Sequence, residues 1–273
     1  MKVCEMLDFV KKELEKVGIF DDAEAEWLVA LALDIKRSAV FSNQELSCGQ
    51  EKKVLKYLER RKKHEPLAYI HGTAEFFGIE LEVNNNVLIP RPETEELVLK
   101  AIRDTNSSDE ILDLCTGSGA IAIAVKKNTG ATVVASDISK KAIEIASKNA
   151  KNNNLDIEFV CSNLFKNLQD RVFDKILSNP PYISEEEFEV LETDVKDFEP
   201  KLALVAKNNG LEIYEKIIGE APKFLKSKGK IYFEIGHKQA DEVCKMLEKD
   251  FEDILVFKDL EGKDRIVVAQ IKS

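Results

Sequence analysis

The chain is poor in the residues that mark secreted, metal-stapled or membrane-embedded proteins. Its cysteines, Cys4, Cys48, Cys115, Cys161 and Cys244, are odd in number, widely spaced and form no Cys-x-x-Cys pair. That argues against a disulfide framework or a thiolate zinc site and suits reduced thiols. His64, His71 and His237 share no metal-ligand spacing, so no metal is expected. No apolar run approaches the roughly 18 residues that cross a bilayer, so no membrane association is expected. The N-terminus reads Met-Lys-Val-Cys-Glu-Met-Leu-Asp, with acids where an export signal would be apolar, and a cytoplasmic location is expected. Positive charge is also scarce: 40 Lys and Arg face 50 Asp and Glu, a formal net charge of -10. Proteins that grip long nucleic acid through its phosphates usually present a basic surface, so direct DNA binding is not expected.

What remains is a chain of 273 residues, long enough for two globular parts. The first 65 or so residues carry helical periods only. Met6, Leu7, Val10, Leu14 and Val17 define one helix, ended by Gly18. Asp22 is placed to cap a second, with Ala25, Leu28, Val29 and Leu33 on its core face. A third runs from about Gln50 to Lys63; Val54, Leu55 and Leu58 share a face, leaving its many Lys and Arg on the solvated side. Residues 75–83 alternate, and Asn84-Asn85-Asn86 offers a turn, which predicts a β-hairpin. Ile89 to Glu95 is a stiff connector opening another helix through Arg103. From residue 110 strands and helices alternate, with strands expected at 110–114, 132–136, 156–160, 173–178, 229–235, 253–258 and 265–271. That pattern predicts an α/β doubly wound, mostly parallel sheet joined late by an antiparallel strand.

Two places in this half carry chemistry. The strand Ile111–Leu114 runs into Cys115-Thr116-Gly117-Ser118-Gly119 and a helix, and the next strand ends in Asp137. Glycines let a ligand approach the backbone, and an acid at the second strand's end suits a ribose diol. A dinucleotide and S-adenosylmethionine both fit this order. The dinucleotide fingerprint wants a third glycine where Ala122 stands, whereas Asp113 before the turn suits the charged amino-acid end of S-adenosylmethionine. The other place is Asn179-Pro180-Pro181-Tyr182, after the apolar run ending at Leu177. The Asn179 side-chain oxygen and the Pro180 carbonyl can both accept hydrogen bonds from one planar NH2 group, with no competing proline N–H. Tyr182 supplies a flat stacking face. In open α/β sheets ligands bind beyond the carboxyl ends of the strands, which brings the two places together and predicts methyl transfer to an amine or amide nitrogen.

With these residues the chain resembles the HemK/PrmC family, methyltransferases that modify the glutamine side chain of peptide-chain release factors. Glu65 to Gly72, Glu75-Phe76-Phe77-Gly78, Pro90 to Glu95, Phe198 to Leu204, Glu234-Ile235-Gly236 with Gln239, and Lys258 to Arg265 carry the resemblance beyond the Asn-Pro-Pro-Tyr turn. It implies a class I, Rossmann-like S-adenosylmethionine-dependent methyltransferase fold with a seven-stranded, mostly parallel sheet, preceded by a helical bundle and a β-hairpin linker. The implied parts are residues 1–68 as a helical substrate-binding domain, 69–95 as linker and 96–273 as catalytic domain. Cofactor contacts are implied at Asp113, Cys115, Thr116, Gly117, Ser118, Gly119, Asp137, Asn163, Leu164 and Asn179. Substrate contacts are implied at Asn179, Pro180, Pro181 and Tyr182, with Asn179, Pro180 and Tyr182 catalytic.

The implied substrate is the glutamine of the Gly-Gly-Gln motif in class 1 release factors, taken by a monomer. Cys115 departs from the family's usual glycine and Asn163 from its frequent Asp; a cysteine costs little there if its backbone angles are ordinary. The Asn-Pro-Pro-Tyr turn alone also occurs in DNA adenine-N6 and some RNA base methyltransferases, the alternative reading, which the acidic balance disfavours. A non-catalytic adaptor of the translation machinery is a second rival, opposed by the intact turn and cofactor loop.

Overall fold

The helical periods of the first third become α1 (Val3–Glu15), α2 (Asp22–Leu33), α3 (Cys48–Arg61) and α4 (Leu67–His71) in the computed structural model, which describes residues 1–272. Together with Glu192–Phe198 they form one compact unit; Ala74–Leu191 and the chain from Glu199 onward form another. The first unit's core is the interlock of Met6, Leu7, Val10 and Leu14 with Ala25, Leu28, Val29, Val54 and Leu58.

Three details there differ from expectation. Asp21, not Asp22, caps α2, its carboxylate accepting from the Ala23 N–H at 2.8 Å. Leu55 lies on the exposed side of α3, while Tyr57 is buried. Arg61, expected in solvent, is only 5% exposed. It bridges Glu24 at 2.8 Å and Asp194 at 2.7 Å, and those two carboxylates offset the cost of burying its charge.

The second unit runs β1 (Thr73–Phe76), β2 (Ile79–Glu82), α5 (Pro92–Arg103), β3 (Glu110–Leu114), α6 (Ala120–Thr129), β4 (Thr132–Asp137), α7 (Lys140–Asn152), β5 (Glu158–Cys161) and β6 (Phe173–Ser178). After β6 come three short helices, α8 (Glu185–Glu189), α9 (Thr193–Phe198, in the first unit) and α10 (Lys201–Leu204). The chain ends α11 (Glu212–Glu220), β7 (Leu225–Glu234), α12 (Ala240–Leu247), β8 (Phe251–Lys258) and β9 (Asp264–Ile271). The hairpin exists, but its turn is Phe77-Gly78 rather than Asn84–Asn86. Both turn residues have positive φ, 52° and 67°, as a two-residue hairpin turn of right-handed twist requires. A phenylalanine in that conformation hid the turn from a reading based on turn residues. Asn84 makes a separate turn, its side chain accepting from the Asn86 N–H at 3.0 Å.

The sheet order is β5-β4-β3-β6-β7-β9-β8. All neighbours are parallel except β9, which lies antiparallel between β7 and β8. The expected mostly parallel, seven-stranded sheet is therefore present. Leu112, Leu114, Ile176 and Phe233 face one apolar layer with α11 and α12; Ile111, Val133, Leu177 and Tyr232 face another with α5 and α6. Burial on both faces explains why the central strands read as near-continuous apolar runs. The chain leaves β3 toward β4 on one side and returns to β6 on the other. The crevice at the carboxyl ends of these three strands is thus the topological switch point.

Candidate active site

Register decides what meets in that crevice. Leu114 pairs with Ser136 on one side and Ser178 on the other. The residues that follow, Cys115, Asp137 and Asn179, therefore leave the sheet side by side. They share the wall of a cavity of about 240 Å³ with Gly117, Asn163 and Leu164.

The glycine turn is built by its own backbone. The Thr116 N–H reaches the Ser136 carbonyl at 3.0 Å, and the Gly117 N–H donates to Asp137 Oδ2 at 3.0 Å. Gly117 has φ 56°, and a Cβ there would enter open space rather than protein, so the backbone offers itself to a ligand. Gly119 serves packing instead: a Cβ on it would come within 3.1 Å of the Ala146 methyl on α7. Cys115 also adopts a left-handed conformation, φ 62°. Its angles are not ordinary, so the expectation that cysteine costs little at this position is corrected. A side chain there carries on the order of 1 kcal/mol of strain that glycine would avoid.

Asp113, Thr116, Ser118 and Gly119 do not line the cavity; they brace it from behind. Asp113 is fully buried, and its Oδ2 accepts from the Thr116 hydroxyl at 2.6 Å and the Ala122 N–H at 3.1 Å. Ala122, the position where a dinucleotide fingerprint wants glycine, thus spends its N–H on this brace. The other Asp113 oxygen has no partner among the described residues. Burial raises the Asp113 carboxyl to about 7, helped by the nearby charge of Asp137. Burial also raises Asp137, against hydrogen bonds from the Ser139 and Gly117 N–H groups. Asp137 alone of the two acids stands on the cavity wall, where a carboxylate at the second strand's end suits a ribose diol. S-adenosylmethionine fits this lining.

The Asn179–Tyr182 segment stands between two cavities. Asn179 and Pro181 face the first, and Tyr182 lines a second of about 830 Å³ with Gly236 and Arg265. Pro180 is buried and lines neither, and no hydrogen bond among the described residues engages its carbonyl. The Tyr182 carbonyl is tied down by Gln239 Nε2 at 3.0 Å, whose own oxygen accepts from the Gly236 N–H at 3.0 Å. Glu199 pins the chain that roofs the first cavity, accepting from the Ile89 N–H at 3.1 Å and from Arg91.

Two residues, Thr94 and Glu234, stand behind Asn179. The Asn179 amide donates to Thr94 Oγ1 at 3.2 Å, and the Thr94 hydroxyl donates to Glu234 Oε2 at 2.5 Å. Glu234 is 1% exposed, and burial raises its carboxyl to about 7. The signal was available: Glu234 interrupts the apolar run Ile231-Tyr232-Phe233-Glu234-Ile235, and an acid inside a buried strand needs a reason.

Comparison with known proteins gives the family and the fold. Residues 5–72 match the PrmC N-terminal domain and residues 93–197 the methyltransferase small domain. A release factor glutamine methyltransferase of Thermodesulfovibrio yellowstonii is 37% identical over 97% of each chain. One from Streptococcus pneumoniae is 40% identical over 98% of each. Among solved structures, a methyltransferase of Pyrococcus furiosus superposes with a TM-score of 0.56 at 20% identity, over 72% of this chain and 90% of its own, a likeness of fold. On the near-complete cover and identity of these relatives, the chain belongs to the release factor glutamine methyltransferase family.

Proposed function

We propose that the Asn179–Tyr182 turn holds the glutamine side chain of a Gly-Gly-Gln motif in a class 1 release factor for methylation at its amide nitrogen. The enzyme is an S-adenosylmethionine-dependent protein-glutamine N5-methyltransferase, as its family is. One observation carries the reading of the site: the sheet register that sets Asn179 beside the Gly117 turn and Asp137 on one cavity. S-adenosylmethionine, when bound, would supply an electrophilic methyl group whose bond to sulfur breaks as the bond to nitrogen forms, leaving S-adenosylhomocysteine, while the methylated nitrogen, now acidic, releases one proton to solvent. Gly117, Asp137, Asn163 and Leu164 would hold it, with Asp137 placed for the ribose. Asp113, Thr116, Ser118 and Gly119 keep the turn in shape from behind.

A carboxamide nitrogen is a poor nucleophile because its lone pair is delocalised into the carbonyl. Asn179 Oδ1 and the Pro180 carbonyl accept from its two N–H bonds, favouring electron density on nitrogen and fixing its angle of approach. Tyr182 stacks on the planar amide from the second cavity, whose size suits a peptide loop. Residues 1–68 act as the substrate-docking part, 69–95 as linker and 96–273 as the catalytic part, in a cytoplasmic monomer that does not bind DNA directly. The test is mass spectrometry of a co-expressed release factor. One added methyl on the Gly-Gly-Gln peptide is expected; an unmodified peptide alongside labelled nucleic acid would transfer the assignment to base methylation.

A further inference from the structure

We propose that Thr94 and Glu234 are positioning residues that set which way round the Asn179 amide faces the substrate. The proposal rests on the reading of Asn179 as an acceptor for the substrate nitrogen. A primary amide can present either its oxygen or its NH2 group after a half-turn that costs little by itself, and only its partners choose. Glu234 makes that choice two bonds away. In its ionised form, which prevails above about pH 7, the Glu234 carboxylate only accepts, so the single Thr94 hydroxyl proton points to Glu234 Oε2, 2.5 Å away. Thr94 Oγ1 then has only lone pairs left for Asn179, whose NH2 donates to it at 3.2 Å. The Asn179 oxygen is thereby left on the other side of the amide carbon, free for the cavity that Asn179 lines. Reversed, the amide would offer a donor to a substrate NH2 that is itself a donor.

The surroundings leave Glu234 dedicated to this task. Thr94 is 4% exposed, and water has no easy route to replace it. The second Glu234 oxygen faces the Tyr182 hydroxyl at 3.4 Å, so both ends of the tetrapeptide refer to one carboxylate. The Glu234 backbone carbonyl is held by the Tyr214 hydroxyl at 2.7 Å. The nearby Arg265 guanidinium is spent on Asp259 at 3.2 Å and the Ile235 carbonyl at 3.3 Å, not on Glu234. A carboxylate buried without a bonded cation is expensive, and an apolar pair of similar volume would pack as well. The cost is understandable if its product is a fixed amide.

The experiment compares Thr94→Val, Thr94→Ser, Glu234→Gln, the Thr94→Val/Glu234→Gln double variant and Asn179→Ala in the full chain. Each is assayed for release-factor methylation, S-adenosylmethionine affinity by calorimetry and thermal melting. Thr94→Val and Glu234→Gln should each lower kcat by about 10- to 100-fold, with cofactor Kd within about twofold. Thr94→Ser, which keeps the hydroxyl, should restore kcat to within about threefold, and the double variant should be no slower than the slower single. Wild-type kcat in Thr94→Val or Glu234→Gln, or losses that simply multiply in the double variant, would overturn the proposal. If Thr94→Val gives no cooperative melt, Glu234→Gln against Thr94→Ser decides in the same way. Inactivity of Asn179→Ala alongside such a result leaves the methyl-transfer reading standing, whereas an active Asn179→Ala removes that reading itself.

Discussion

A Cβ on Gly210 would sit 1.9 Å from the carbonyl oxygen of Tyr182. Gly210 also has φ 81°, so both its space and its backbone conformation exclude other residues. Gly210→Ala must push the end of the Asn-Pro-Pro-Tyr turn out of place or break the Gln239 bond to Tyr182. The expected result is a loss of about 2–4 kcal/mol in urea unfolding and a fall in turnover larger than the fall in cofactor affinity.

Cys115 is the mild version of the same problem. With φ 62°, it tolerates glycine at least as well as cysteine and tolerates a β-branched residue badly. Cys115→Gly should leave the melting temperature within a few degrees and keep S-adenosylmethionine binding. Cys115→Val should cost about 2 kcal/mol and weaken binding measurably in calorimetry. Equal behaviour of the two variants would show that the turn relaxes.

Stability should fall as pH rises toward neutrality. The Asp113 and Glu234 carboxyls are both raised to about 7 by burial, so the native state keeps protons that the unfolded chain releases near pH 4. Where the native state binds more protons, the slope of stability with pH is negative. The contribution is full below about pH 4 and lost as pH passes about 7. Asp113→Asn should therefore raise the melting temperature at about pH 8 and change it little at about pH 4, its effect bounded by roughly 4 kcal/mol. An equal increment at both values would refute the assignment.

Asn179→Ala should abolish detectable methylation while leaving cofactor binding measurable, because the Gly117 turn and Asp137 hold their places without it. Tyr182→Phe should cost less than about threefold in kcat. Its hydroxyl lies 3.4 Å from Glu234, too far for a strong bond, and the ring is unchanged. A dead Tyr182→Phe variant would assign the hydroxyl a direct part.

Much of the fold was legible because its signals are local. The strand β3, the glycine turn and Asp137 announce themselves by apolar runs that end in glycines or acids, and β6 by its proline stop. The hairpin turn at Phe77-Gly78 was misplaced because three asparagines nearby carry a stronger turn propensity than a phenylalanine. Arg61 was misread because helical spacing shows which face is charged but not that Glu24 and Asp194 come to meet it.

The sequence by itself determined the alternating architecture, the positions of the two chemical turns and, through its matching segments, the family. Only the tertiary structure decided what surrounds those turns. The pairing of Leu114 with Ser136 and Ser178 puts residues 115, 137 and 179 together, and no local pattern encodes the register between strands so far apart in the chain. Thr94 and Glu234 lie 140 residues apart, and nothing local ties one to the other. Their meaning comes from the shared desolvated space behind Asn179, where a hydroxyl and a carboxylate have few partners but each other.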